Sequence, residues 1–150
     1  MIFKICGLKS KESVLCCEEN NVDFFGLIFY KNSPRNITFE EAKTLIYYSK
    51  RLRIKPVGVF VDHEINELKK IISSLGLKNI QLHGNEDQLY IDYIKKQFDV
   101  KIIKKISINN SKDFNKIGKF NNIEYLLFDY KPDNDELPGG NAKSFDWNLL

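Results

Sequence analysis

Short apolar, β-rich runs alternate along this chain with longer amphipathic ones. Residues 2–6 predict a strand, and residues 10–19 a helix with Ser10 as its N-cap. Residues 22–30 are an almost unbroken apolar run, the pattern of a strand covered on both faces. After a polar loop, Thr38-Phe39-Glu40-Glu41 has the form of a capping box. The helix it opens runs to about Leu52, with Ala42, Leu45, Ile46 and Ser49 on one face. Residues 56–61 are a third strand. Asp62 opens a helix in which Ile65, Leu68, Ile71, Ile72 and Leu75 recur at helical spacing, and Gly76 ends it. Residues 79–83 form a fourth strand, and Asn85 or Glu86 starts a helix to about Phe98. Residues 100–107 give a fifth strand, 111–118 a short helix and 125–129 a sixth strand. A long loop, 130–144, precedes the start of another helix at 145–150, with Trp147 expected in the core.

Strict strand–helix alternation makes the strands parallel, joined by right-handed crossovers. Two α/β architectures compete. One is an open, doubly wound sheet of six strands. The other is an eight-stranded β/α barrel, which needs about 200 residues or more. The pattern alone favours the open sheet, because at 150 residues it needs no missing piece. The nucleotide chemistry of such sheets has no support: Cys6-Gly7-Leu8-Lys9-Ser10 is no G-x-G-x-x-G, and no Walker motif occurs.

Composition narrows the classes. A chain of 150 residues holds one domain with a substantial core, and 43% apolar and 29% charged residues are ordinary for a globular protein. The net charge of +3 is spread among balancing acids, so no basic stripe points to nucleic acid. No leader and no apolar run near the ~18 residues of a membrane span is present, so no membrane partner is expected. Cys6, Cys16 and Cys17 form neither a disulfide framework nor a C-x-x-C zinc spacing. A reducing compartment, the cytoplasm, is expected, with Cys16 and Cys17 as packing residues of the first helix.

Candidate chemistry gathers at the strand ends. The first strand delivers Cys6, followed by Gly7, which turns the backbone and leaves space beside the sulfur. The second is followed by Ser33-Pro34-Arg35, the fourth delivers Gln81 and His83, and the sixth delivers Asp129. Each has an ordinary explanation: a buried inert thiol, a solvated arginine, a satisfied histidine, a turn-capping carboxylate. Their convergence on the C-terminal rim of a parallel sheet, where such folds keep their chemistry, is what argues for a site.

The motifs Lys4-Ile5-Cys6-Gly7, Gly26-Leu27-Ile28-Phe29-Tyr30 with Lys31-Asn32-Ser33-Pro34-Arg35, Val57-Gly58-Val59-Phe60-Val61, Gln81-Leu82-His83-Gly84, Leu126-Leu127-Phe128-Asp129, and Gly139-Gly140 through Phe145-Asp146-Trp147 occur in this order. Together they resemble phosphoribosylanthranilate isomerase over essentially the whole chain. The resemblance implies a (β/α)₈ TIM-barrel fold, reversing the preference for an open sheet. It makes residues 1–150 a single, incomplete barrel domain, truncated after about six strands, without strands seven and eight and their phosphate-binding loops. Two departures stand out. Asn21 replaces a usual glycine, and Asn141-Ala142-Lys143-Ser144 replaces the usual Thr-Gly-Lys-Thr.

The activity implied by the resemblance is an Amadori rearrangement in tryptophan biosynthesis, on the small-molecule substrate N-(5-phosphoribosyl)anthranilate. No cofactor or metal is required. By resemblance Asp129 is the general acid and Cys6 the general base, Arg35 binds the anthranilate carboxylate, and His83 and Gln81 line the pocket. The acid needs a pKa raised above the ordinary ~3.9, and the base a thiol drawn toward thiolate. The alternative is a catalytically silent fragment or pseudo-enzyme of the family. Taken alone, 150 residues are expected to lack competent activity and to self-associate through open sheet edges.

Overall fold

The computed structural model describes residues 1–132, 136–141 and 143–149. Six strands, β1 (Lys4–Cys6), β2 (Phe24–Phe29), β3 (Lys55–Phe60), β4 (Asn79–Leu82), β5 (Lys101–Ile108) and β6 (Tyr125–Tyr130), lie side by side in chain order, and every adjacent pair is parallel. A doubly wound sheet reverses its winding at a switch point, which breaks sequential order. Here every crossover steps the same way, so the open-sheet preference of the bare pattern is wrong. The sheet also curls. Flat, β1 and β6 would stand about 24 Å apart at ~4.8 Å per strand, yet Cys6 and Asp129 line one cavity. The architecture is part of a TIM-type barrel.

Four helices cover the convex face: α1 (Lys11–Glu19), α2 (Phe39–Ser49), α3 (Ile65–Leu75) and α4 (Gln88–Gln97). Outward strand residues Phe25, Leu27, Phe60, Ile80, Leu82 and Ile102 pack against Val14, Ala42, Leu45, Leu68, Ile72, Ile91 and Ile94 from the helices. The ends of α1 to α3 are set by local chemistry. Ser10 Oγ accepts from Ser13 N–H at 3.2 Å. Thr38 and Glu41 close the expected capping box. Gly76 ends α3 at φ 62. Asn21 likewise takes φ 58, a left-handed conformation that asparagine tolerates in place of glycine.

Several expectations fail for identifiable reasons. Asp62 does not open α3; Glu64 caps it, accepting from Asn66 and Glu67 N–H. Asp62 sits at φ 47, its carboxylate accepting from Asn85 N–H at 2.6 Å. Neither Asn85 nor Glu86 starts α4. Asp87 is the cap, because Glu86 turns inward. The segment after β5 is a 3₁₀ helix, Ser111–Lys119, in keeping with its poor helix formers Asn115 and Gly118. Trp147 is 68% exposed and stacks on Phe145, the aromatic residue that is buried. Cys16 is exposed, whereas Cys17 packs on the core; all three cysteines are free. Ala142 and Leu150 lie outside the described residues. No helix among the described residues is long and apolar enough to cross a membrane.

Asp113 anchors the 3₁₀ segment. Its carboxylate accepts from Lys116 Nζ at 2.6 Å and from the N–H groups of Asn109 and Asn110. The Lys116 hydrogen bond leads in lowering its pKa to about 2, outweighing the opposite effect of burial. A folded-state value below the unfolded ~3.9 gives stability that is complete above the unfolded pKa and lost as pH falls through the folded one. Asp113→Asn is expected to lower stability at neutral pH by on the order of 1–2 kcal/mol and to flatten its fall between about pH 4 and pH 2. Denaturant titration across that range checks this; an unchanged slope contradicts it.

Candidate active site

Alternation along β1 sends Lys4 and Cys6 to the concave face, and Gly26 of β2 lies directly opposite Cys6. A Cβ on Gly26 would stand 2.6 Å from Cys6 Sγ. The room beside the sulfur is therefore Gly26's doing, not Gly7's as the sequence suggested. Gly7 makes the turn, donating its N–H to Gly26 O at 2.8 Å, and the Arg35 side chain fills the space above it. Arg35 comes from the loop after β2, where Ile37 N–H donates to Ile28 O. Its Nη1 donates to the Cys6 carbonyl at 3.0 Å, which ties the exposed guanidinium to the end of β1.

Gln81 and His83 share the concave parity of β4. Gln81 is 2% exposed, and its Nε2 lies 2.8 Å from His83 Nδ1. The other ring nitrogen, His83 Nε2, lies 3.4 Å from Asp129 Oδ2. The backbone of Gly139 presses on this pair so closely that a Cβ there would collide with His83 Nε2. Cys6, Arg35, Gln81, His83 and Asp129 all line one cavity of about 300 Å³, so the structure brings together every residue singled out in the sequence.

The electrostatics differ from expectation at one point. Burial pushes the Asp129 carboxyl up. The hydrogen bond and charge of His83, the Tyr130 N–H and the charge of Lys105 push it down further, and the net result is below the ordinary carboxylate range. The raised value expected of a general acid is absent here, because a basic neighbour offsets the desolvation.

Sequence reasoning missed two lysines. Lys104 and Lys105 are adjacent in the apolar run of β5, so they face opposite sides of the sheet, and both are buried. Two lysines inside a strand covered on both faces are costly unless paired, and that was the available signal. Lys105 points to the concave side, its Nζ 2.8 Å from Ser107 Oγ, and burial pushes its pKa down while Asp129 partly offsets this. Lys104 meets Glu86 at 2.7 Å, both side chains 2% exposed, and also donates to Gly84 O. Glu86 further accepts from the N–H groups of Asp62 and Gly84. Among the described residues no cluster of three or more His, Cys, Asp and Glu is placed to hold a metal ion.

Removing Lys104 leaves Glu86 buried without its counter-charge. Lys104→Met is expected to cost about 3–5 kcal/mol in denaturant unfolding, with Lys104→Met/Glu86→Gln recovering part of the loss. A single variant within about 1 kcal/mol of wild type would show that the pair does not brace this rim.

Comparison with known proteins agrees with the geometry. The family model for N-(5'phosphoribosyl)anthranilate (PRA) isomerase matches residues 3–150. The N-(5'-phosphoribosyl)anthranilate isomerase of Sinorhizobium fredii is 40% identical over 152 residues, covering 100% of this chain and 67% of the relative. That of Zymomonas mobilis is 39% identical, covering 98% and 69%. The crystal structure of the Thermotoga maritima enzyme superposes with a TM-score of 0.84 at 29% identity, covering 99% of this chain and 70% of the other. A structure of phosphoribosyl anthranilate isomerase in complex with reduced 1-(o-carboxyphenylamino)-1-deoxyribulose 5-phosphate superposes with a TM-score of 0.77 at 28% identity, covering 87% and 66%. With the sequential half-barrel and the concave strand-end cavity, these matches mean that the chain belongs to the N-(5'-phosphoribosyl)anthranilate isomerase family.

Proposed function

We propose that this chain carries the acid–base centre of a phosphoribosylanthranilate isomerase, with Asp129 as general acid and Cys6 as general base. The observation that carries the reading is the convergence of Cys6 and Asp129, from the two edge strands, on one cavity that Arg35 also lines. A structural relative holding an analogue of the aminoketose product supports the same substrate class.

In this scheme Asp129 protonates the ring oxygen of N-(5-phosphoribosyl)anthranilate, and the sugar opens to a Schiff base. Cys6 removes the proton from C2 of the sugar, and the enolamine tautomerises to the aminoketose. Protons move and no electrons leave, so the balance closes without a redox partner. Arg35 offers a planar fork to the anthranilate carboxylate. It is held beside the thiol by the Cys6 carbonyl, which orients the aromatic end relative to the base. An anionic substrate that closes the cavity excludes water and adds negative charge, and both raise the Asp129 pKa toward that of a usable acid. The three free cysteines support a cytoplasmic location. The outer edges of β1 and β6, with Ile2, Phe3, Ile5 and Tyr125 exposed, are the surfaces through which self-association would run.

The test is the rearrangement itself, assayed with residues 1–150 both alone and joined to the last two strands of a complete relative. Cys6→Ala and Asp129→Asn should each reduce turnover by ~10²–10⁴ while substrate binding changes little. Near-normal turnover in either variant removes that residue from the scheme, and no turnover from the joined wild-type chain favours a silent family member.

Arg35→Ala separates binding from chemistry. Arginine stays protonated near neutral pH and takes no proton from the substrate. KM is expected to rise more than kcat falls; a pure loss of kcat at constant KM contradicts the assignment.

A further inference from the structure

Gln81 and His83 are polar groups of the cavity, bonded in series to Asp129, to which the acid–base scheme gives no proton. Gln81 Oε1 is buried and has no hydrogen-bond partner among the described residues. With Gln81 Nε2 donating to His83 Nδ1 at 2.8 Å, the neutral ring carries its hydrogen on Nε2, facing Asp129 Oδ2 at 3.4 Å. Gly139 closes over the pair. The other ionisable groups facing it are Lys105 from β5, Lys4 and Cys6 from β1, and Tyr30 and Arg35 from the loop after β2, with Lys104, Glu86 and Asp62 acting on Lys105.

We infer that His83 is a positioning residue that stores the proton Asp129 delivers, and that Gln81 is the acceptor switch that permits storage. This rests on Asp129 being the acid. In the loaded state the imidazole carries a hydrogen on each nitrogen and Asp129 is a carboxylate. The Nε2 proton passes to Asp129 Oδ2, and the carboxyl passes it to the ring oxygen of the substrate. The pair ends one proton poorer and neutral at the imidazole, while Cys6, having taken the C2 proton, ends one richer. Solvent exchange restores both. The unpartnered Gln81 oxygen has its place here. When Nδ1 becomes a donor, a half-turn of the primary amide presents Oε1 to it, and when the ring is neutral the amide N–H faces it instead. The buried oxygen is thus the partner required by the loaded state.

Two measurements test this. In the first, kcat is followed against pH for wild type and His83→Asn. Turnover is expected to fall about 10²-fold with KM within about threefold. The alkaline loss of kcat should move at least about one pH unit lower, because a lone carboxyl holds its proton to lower pH than one resupplied by an imidazole. A drop in kcat with an unmoved profile makes His83 structural and overturns the inference. The second needs no turnover: ¹⁵N NMR of the intact chain, which has only two histidines, His63 and His83. At alkaline pH the His83 hydrogen should sit on Nε2, and Gln81→Met should let the Nδ1–H form appear. A wild-type ring protonated on Nδ1 overturns the inference whether or not the chain is active. Inactivity of the wild type joined to the last two strands of a complete relative counts against the proposed function, and the tautomer and its dependence on Gln81 then decide the storage pair.

Discussion

One buried carboxylate holds the working rim of this half-barrel together. Glu86 accepts from Lys104 Nζ and from the N–H groups of Asp62 and Gly84, so a single side chain ties the loops after β3 and β4 to the middle of β5. A buried charge is tolerable only when its lone pairs are met by donors and its charge by a partner, and here both conditions hold. Gly84 follows His83 directly, so the imidazole inherits the rigidity of this knot. The knot itself lies on the helix side, while the chemistry it steadies lies on the other.

That division runs through the sheet. Strands β2 to β5 bury one set of side chains under the helices and turn the alternate set toward the cavity, whereas Ile5 of β1 is exposed and β6 is only half-buried. In β5 the two lysines show it most plainly: Lys104 closes the structural pair, and Lys105 adds charge beside Asp129. In β6 Phe128 packs against Phe114 on the convex side, while Leu127 and Asp129 line the cavity. Apart from Lys104, the convex set is mainly apolar and fills space under the helices. The concave set holds the few polar groups whose mutual distances matter.

Local features were readable from the chain because local physics sets them. The Thr38–Glu41 capping box, the glycine stop at Gly76 and the buried face of α2 follow from residues three or four apart. Strand order was not readable, since sequential and switched windings share one hydrophobic pattern; only the family resemblance pointed to a barrel. The site residues were legible as strand ends, yet their electrostatics were not. Asp129's lowered pKa depends on His83 and Lys105, which are remote in sequence. The inward turn of Glu86 was likewise hidden, because an acid just before a helix reads as a cap until its lysine partner is placed. Trp147 was expected in the core as part of a helix after the long loop, but Phe145 took the buried place.

The strict alternation of faces sets how the gene can change. Because Phe128 and Asp129 are neighbours on opposite sides of one strand, a single codon inserted within β6 would drive the aromatic ring into the cavity and the carboxylate among the helices. A substitution at either position disturbs one property, whereas the shift disturbs packing and chemistry together. Insertions and deletions are therefore tolerated better in the exposed loops than within the strands.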